Sequence, residues 1–263
     1  MTRSAAAGQA PQNHAELPIV RDFVAGARKA EGMMELRSLI EEACREIEID
    51  YFAIVHHIRF GRPSTNVVRL SNYPTDWVAR LRQADIVKDP VLRAAERSSV
   101  GFRWNRLEEL IQLGDADRAR LRLAEHHGLG DGFTVPNHVP GEAFGSCHFS
   151  VRVGRQFPDH AIYAAQSIGC FAFAAARELN ARNAEPSENY VEPAPLTDRQ
   201  RDCLVLAARG KSDSVIAQLL DIRPRTVNEH IEAAKRRYAV ATRSQLMVRA
   251  LFRSEILYSE VLG

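Results

Sequence analysis

Paired cysteines, long apolar runs and catalytic signatures are all missing from this 263-residue chain. Its four cysteines, Cys44, Cys147, Cys170 and Cys203, lie far apart with no C-x-x-C among them. That excludes a disulfide-stapled scaffold and a zinc ribbon, and leads us to expect free thiols in a reducing cytoplasm. No apolar stretch approaches the roughly 18 residues that a membrane span needs, so no membrane partner is expected. The first residues lack a signal-peptide core, because Ala5, Ala6 and Ala7 run directly into glycine and polar residues. No G-x-S-x-G, H-x-x-x-H or phosphate-cradling loop is present. The nearest approaches to a metal or nucleophile site are His56-His57, His126-His127 and Cys147-His148. Neighbours on a strand point to opposite faces, so the first and last pairs diverge. His126-His127 precedes a glycine turn of the kind solvent reaches. We therefore expect no enzyme activity, no metal and no cofactor.

What is present is an ordinary globular composition with uneven charge. The chain carries 35 Lys and Arg against 33 Asp and Glu, a net charge of +2. From Ala194 onward there are 12 Lys and Arg against 8 Asp and Glu. A basic tail module on a mildly acidic body suits nucleic acid touched by one end only. The length allows two medium domains, each able to bury a core.

Taken in order, residues 1–17 are small and polar and read as a disordered tail. Helices are expected over Leu17–Ala30 and Met33–Ile47, and a strand over Tyr51–Phe60 with a short neighbour at Val67–Leu70. Helices follow at Thr75–Ala84, from Asp89-Pro90 to Ala95, and over Leu107–Gly128. Phe133–Val139 and Ser146–Val153 read as a hairpin joined by PGEAFG. An alanine-rich helix spans Asp159–Asn180, and the polar residues 180–195 form a linker. Helices, then strands, then helices around a hairpin give an α+β class: an N-terminal α/β/α sandwich with an antiparallel sheet over residues 18–179.

The stretch 196–263 reads differently, as a four-helix all-α unit. Thr197 and Gln200 form a capping box, Gly210 stops the first helix, Ser212 caps the second, and Thr242 and Gln245 repeat the box. Ile216, Ala217, Leu219 and Leu220 make the apolar face of the second helix. Pro224 opens the third, in which Val227, Ile231, Ala234 and Tyr238 fall on one stripe at helical spacing. Arg223 occupies the N-cap position, where Ser, Thr, Asn or Asp would be worth about 1 kcal/mol. The opposite side carries Arg225, Asn228, Glu229, Glu232 and Arg236. A short helix with one apolar edge and one polar edge, propped by a second helix, suits the DNA major groove.

These residues resemble the helix-turn-helix of the LuxR family. Leu196, Thr197, Arg199, Leu204, Gly210, Lys211, Ile216, Ala217, Ile222, Thr226, Val227, His230 and Arg243 match its pattern. Gln200 and Val215 depart from it, each standing where glutamate is usual. SNYPTDWVARL, DPV, FRW and HGLGDGFTVPNHVPGEAFG resemble the family's autoinducer-binding domain, so the likeness spans about residues 33 to 253. The resemblance implies a quorum-sensing transcriptional regulator, an activator, whose front domain encloses an N-acyl-homoserine lactone. It assigns Tyr73 to the acyl carbonyl, Trp77 to the lactone carbonyl and Asp89 to the amide N–H. Trp104 packs over the lactone, Gly132 lies in the sheet turn, and Ser150 meets the first acyl carbons. The chemistry matches, since the ligand offers one N–H and two carbonyls, and a dry pocket must supply one acceptor and two donors. Two departures bear on specificity. Leu81 replaces an aromatic wall and leaves room for a bulkier acyl group, and the interval from Trp77 to Asp89 is one residue short.

The expected partners are therefore the lactone, a second copy of the chain, a two-fold DNA site and RNA polymerase. Base readers are expected at Arg225, Asn228, Glu229 and Glu232, with Thr226 and His230 on the same helix. Phosphate contacts are expected at Lys211, Arg223, Lys235 and Arg236, joined by Arg243. An orphan regulator of the same architecture, binding no lactone or a different small molecule, is the alternative.

Overall fold

A computed structural model describes residues 16–57, 68–83, 89–140, 142–183 and 194–262. Residues 1–15 of the expected tail, the last residues of the Tyr51–Phe60 strand, Val67, Ala84 and most of the linker lie outside the described residues, as does part of the short Trp77–Asp89 interval; Glu16 and Leu17 already belong to the first helix. The chain divides into two compact units, one made of residues 1–138 and 143–185, the other principally of residues 186–263.

In the front unit, α1 (Glu16–Ala27) and α2 (Met33–Glu46) precede β1 (Tyr51–His56) and β2 (Arg69–Ser71). Then come α3 (Thr75–Gln83), α4 (Pro90–Ala95), β3 (Phe102–Arg103), a 3₁₀ segment (Trp104–Glu109) and α5 (Asp115–His126). The hairpin is β4 (Leu129–Asn137) and β5 (Gly145–Arg152), and α6 (Ala161–Asn183) ends the unit. The five strands pair antiparallel in the order β2-β1-β5-β4-β3.

Register decides which side chains share a face. Phe52 pairs with Phe149, Phe149 with Phe133, and Cys147 with Ile54 and Val135. These apolar residues form the face that α6 covers: a Cβ at Gly169 would sit 2.9 Å from Val135 and 3.2 Å from Phe149. Alternate residues on the same strands, namely Ala53, Val55, Thr134, Ser146, His148 and Ser150, face the other way. That second face meets α3, α4, α5 and the 3₁₀ segment, so the α/β/α layering holds.

Two elements differ from expectation. Leu107–Gly128 is not one helix. It breaks after the 3₁₀ segment, and α5 begins afresh at Asp115, where the Asp117 carboxylate accepts from the Gly114 N–H at 3.0 Å. The same buried carboxylate receives two bonds from Arg93, at 3.0 and 3.2 Å, and so ties α4 to α5. The second difference is at β4, which starts four residues earlier than expected, because its glycines hide it. A Cβ at Gly130 would lie 2.6 Å from the Arg152 carbonyl oxygen. The strand needs glycine there for close approach, although glycine is a weak strand former.

The second unit contains α7 (Asp198–Ala208), α8 (Asp213–Leu220), α9 (Pro224–Arg237) and α10 (Arg243–Phe252), with one further turn, α11 (Tyr258–Leu262). Both capping boxes form, Thr197 with Gln200 and Thr242 with Gln245, and Ser212 caps α8. Gly210 sits at φ +77°, and Asp221 takes the left-handed conformation that ends α8. Arg223 supplies no side-chain cap, leaving Pro224 to start α9. Val227, Ile231, Ala234 and Tyr238 are buried with Ile216, Ala217, Leu204 and Leu246. Leu219 is a correction, being 59% exposed. At 3.6 residues per turn it falls about 110° from the buried arc centred between Ile216 and Ala217, whereas Leu220 lies within that arc.

Candidate functional site

Between the polar face of the sheet and the helices α3 to α5 lies a cavity of about 560 Å³. Tyr73, Trp77, Leu81, Asp89 and Trp104 all line it, together with Ala53, Val55, Val91, Leu121, Arg120 and His148. Five residues spaced over 32 positions of sequence are thus brought to one half-open cavity by the α3–α4 layer and the 3₁₀ segment.

Asp89 is the most heavily used of them. Its Oδ1 caps α4, accepting from Val91 N–H at 2.9 Å and Leu92 N–H at 3.4 Å. Its Oδ2 accepts from Arg120 Nε at 3.1 Å across the cavity wall. Arg120 was not foreseen. Its residue type carries no signal at that spacing, since arginines are frequent along α5. Tyr73 lies edge-on to Tyr51 at 6.3 Å. Burial pushes its hydroxyl above the ordinary phenol range, and the nearby Cys147 and Asp89 add to the rise, so it remains a neutral donor. Trp77 is 5% exposed and packs against the His127 ring at 5.6 Å. That contact shows His127 supporting a cavity wall instead of standing in solvent. Among the described residues, neither the Tyr73 hydroxyl nor the Trp77 indole N–H has a hydrogen-bond partner.

Trp104 is fixed from behind. Its Nε1–H donates to Thr134 Oγ1 at 2.8 Å, and a Cβ at Gly132 would collide with the indole at 2.6 Å. Gly132 therefore sits under Trp104 and not in the cavity lining. Ser150 also lies outside the lining: its hydroxyl points to the carbonyls of Val151 at 3.1 Å and Gly130 at 3.4 Å. The cavity-lining residue of β5 is His148, two positions earlier on the same face.

In α9, Arg225, Asn228, Glu229 and Arg236 are exposed, and Thr226, His230, Glu232 and Lys235 are half-buried. Arg225 Nε bonds Glu229 at 3.0 Å, one turn on, and Lys235 bonds Glu232 at 2.8 Å. Lys211 and Arg223 are exposed beside the turn. Arg243 is paired instead, donating to Asp213 at 2.6 Å and holding α10 to α8. It acts as a strut within the bundle.

Residues 33–179 match the family model described as the autoinducer binding domain, and residues 194–250 match that of bacterial regulatory proteins of the luxR family. The chain belongs to the LuxR family. Among curated LuxR-family relatives it is 28% identical over 210 residues to the transcriptional activator AhyR of Aeromonas hydrophila, covering 76% of each chain. It is 22% identical over 227 residues to the transcriptional activator LuxR of Aliivibrio fischeri, covering 84% of this chain and 88% of that one. The crystal structure of Escherichia coli SdiA superimposes with a TM-score of 0.63 at 26% identity, over 92% of this chain and 99% of SdiA. A second SdiA structure, in complex with octanoyl-rac-glycerol, gives 0.62 at 25% identity over 94% and 97%. As in other LuxR-family chains, an autoinducer-binding domain stands before a helix-turn-helix, and the family is one of transcription regulators. No helix among the described residues is long and apolar enough to cross a membrane.

Proposed function

We propose that this LuxR-family regulator takes an N-acyl-homoserine lactone into the front cavity and binds a two-fold DNA site as a homodimer. The observation that carries the ligand half is the meeting of Tyr73, Trp77 and Asp89 in one cavity. Two donors and one acceptor match two carbonyls and one amide N–H. In that reading Tyr73 serves the acyl carbonyl and Trp77 the lactone carbonyl. Asp89 Oδ2 accepts the amide N–H with the lone pair that Arg120 leaves. Trp104 packs over the ring, and Leu81 leaves space beside the chain. Burying the ligand completes the core of the front unit and stabilises it by mass action.

The DNA half rests on α9. Arg225, Asn228, Glu229 and Glu232 face outward as base readers, with Thr226 and His230 at the edge, while Lys211, Arg223, Lys235 and Arg236 reach phosphates. Glu229 holds the Arg225 guanidinium by its Nε, so the two terminal nitrogens are presented forward as a fork suited to guanine. Activation of transcription through contact with RNA polymerase completes the reading.

Thermal unfolding against a panel of acyl-homoserine lactones, with branched and aryl members and octanoyl glycerol included, tests the ligand half. A rise in midpoint with one lactone, lost in Trp77→Phe, supports it. Folded, DNA-binding protein whose midpoint no lactone moves would overturn it, leaving an orphan regulator.

A further inference from the structure

Under the cavity floor runs a line of buried polar side chains that the lactone-recognising set does not use. Trp104 Nε1–H donates to Thr134 Oγ1 at 2.8 Å. Thr134 Oγ1 lies 2.9 Å from His148 Nδ1, and His148 Nε2 lies 2.6 Å from Ser146 Oγ. Ser146 Oγ is in turn 2.7 Å from His57 Nε2, and His57 Nδ1 faces the Glu96 carboxylate at 3.7 Å. Thr134, Ser146, His148 and His57 are all buried, on the adjacent strands β4 and β5 and at the residue that follows β1. Two of the six residues, Trp104 and His148, line the cavity.

We propose that this relay makes His148, and the Trp104 indole over the lactone, apolar toward the ligand, so that the cavity selects an acyl chain carrying no oxygen where it passes the His148 ring. An indole has one N–H and an imidazole two nitrogens. Here the indole N–H is spent on Thr134, and both imidazole nitrogens are spent on Thr134 and Ser146. That holds whichever way the hydroxyl protons point, because each nitrogen has a partner that can donate or accept. What remains for the cavity is ring carbon. A keto or hydroxyl oxygen laid against it would lose its water without gaining a partner. Burial, helped by the neighbouring His57, pushes the His148 pKa down to about 3, in keeping with a neutral ring that solvent does not reach. The relay thus places specificity in Ser146 and Thr134, neither of which lines the cavity.

This inference rests on the lactone reading, and one of its tests does not. Titration calorimetry of the full chain would compare unsubstituted and 3-oxo acyl-homoserine lactones of equal length. The wild type is expected to prefer the unsubstituted chain by about tenfold or more. Ser146→Ala frees His148 Nε2, and Thr134→Val frees Nδ1 and the indole N–H, and in each the preference is expected to shrink toward unity. A merely structural role would weaken both ligands alike and leave the ratio unchanged. Equal or tighter binding of the 3-oxo form by wild type would overturn the proposal, as would an unchanged ratio in both folded variants. In the ligand-free arm, ring ¹⁵N shifts assigned with His148→Gln should show His148 neutral in one tautomer from pH 5 to 8. Titration in that range would overturn the relay on its own. Failure of every lactone to bind would sink the proposed function and leave this arm to decide the relay.

Discussion

Consider replacing Asp89 by asparagine. The amide keeps the shape of the carboxylate and an oxygen for the α4 cap, where Asn and Asp serve about equally well. It cannot turn that oxygen toward the cavity, because its NH₂ would then face the Val91 and Leu92 N–H groups. The NH₂ must instead face Arg120 Nε and any ligand amide, donor against donor. For the free protein this removes a half-buried ion pair and leaves Arg120 without its acceptor, a loss of about 1–3 kcal/mol. For the complex it removes the acceptor for the amide N–H, a further loss of about 1–3 kcal/mol, or roughly 5- to 150-fold in affinity. At lactone held near 100 times the wild-type Kd, bound ligand stabilises the fold by about 2.7 kcal/mol. A domain of this size gains about 2–4 °C per kcal/mol, so the wild-type midpoint should rise by about 5–10 °C. In Asp89→Asn the stabilisation by ligand falls to about 1.8 kcal/mol for a fivefold loss and about 0.3 kcal/mol for a 150-fold loss, so about a third to nine-tenths of that rise should vanish, while the circular dichroism of the free protein stays native. Differential scanning fluorimetry with and without lactone reads both quantities. An asparagine variant that binds lactone within twofold of wild type would refute the assignment of Asp89 as the ligand's acceptor.

Two other perturbations follow from the same geometry. Gly132→Ala puts a Cβ 2.6 Å from the Trp104 indole and 2.7 Å from the Phe149 carbonyl oxygen, so it should lower the free midpoint and abolish the lactone shift together; a lactone shift preserved in full would show that Trp104 is not held by that contact. Asn228→Ala should relax sequence preference more than overall affinity, since Asn228 is exposed on α9 and has no role in the core; binding measured against single-base variants of the site checks this, and a uniform loss across all sequences would count against it.

Much of the fold was legible because local and periodic signals agreed. The capping boxes at Thr197 and Thr242, the Val227–Tyr238 stripe and the Pro224 start each announce themselves within four to twelve residues. The cavity set was legible only through the family likeness. Tyr73, Trp77, Asp89 and Trp104 converge through tertiary packing that no spacing rule encodes. What stayed hidden has physical reasons. Gly130 and Gly132 mask the first half of β4, because strands read from β-branched residues fail where the backbone needs empty space. The break before α5 depends on the Asp117 side chain reaching back to Gly114 and across to Arg93. The place of His148 follows from strand register: it pairs with Thr134 across the hairpin and, through Ser146, reaches His57, which lies just past β1 and 89 residues before Ser146. Ser150 shares the strand and face of His148 but sits two residues along, outside the cavity lining.

Glu255 receives the backbone N–H of Leu196 at 2.7 Å, the hydroxyl of Tyr238 and the Arg253 guanidinium. The Pro195 carbonyl, one residue before, accepts from Arg237 at 2.5 Å. Chain entry into the helix-turn-helix is therefore riveted to the far end of α9, roughly one and a half to three and a half turns from the residues that would meet bases. Tension or torque arriving along the polypeptide from the sensing half would be delivered at the heel of that helix. Because Val227, Ile231, Ala234 and Tyr238 fix α9 in the bundle core, the helix-turn-helix would turn as one body, its interior keeping its packing.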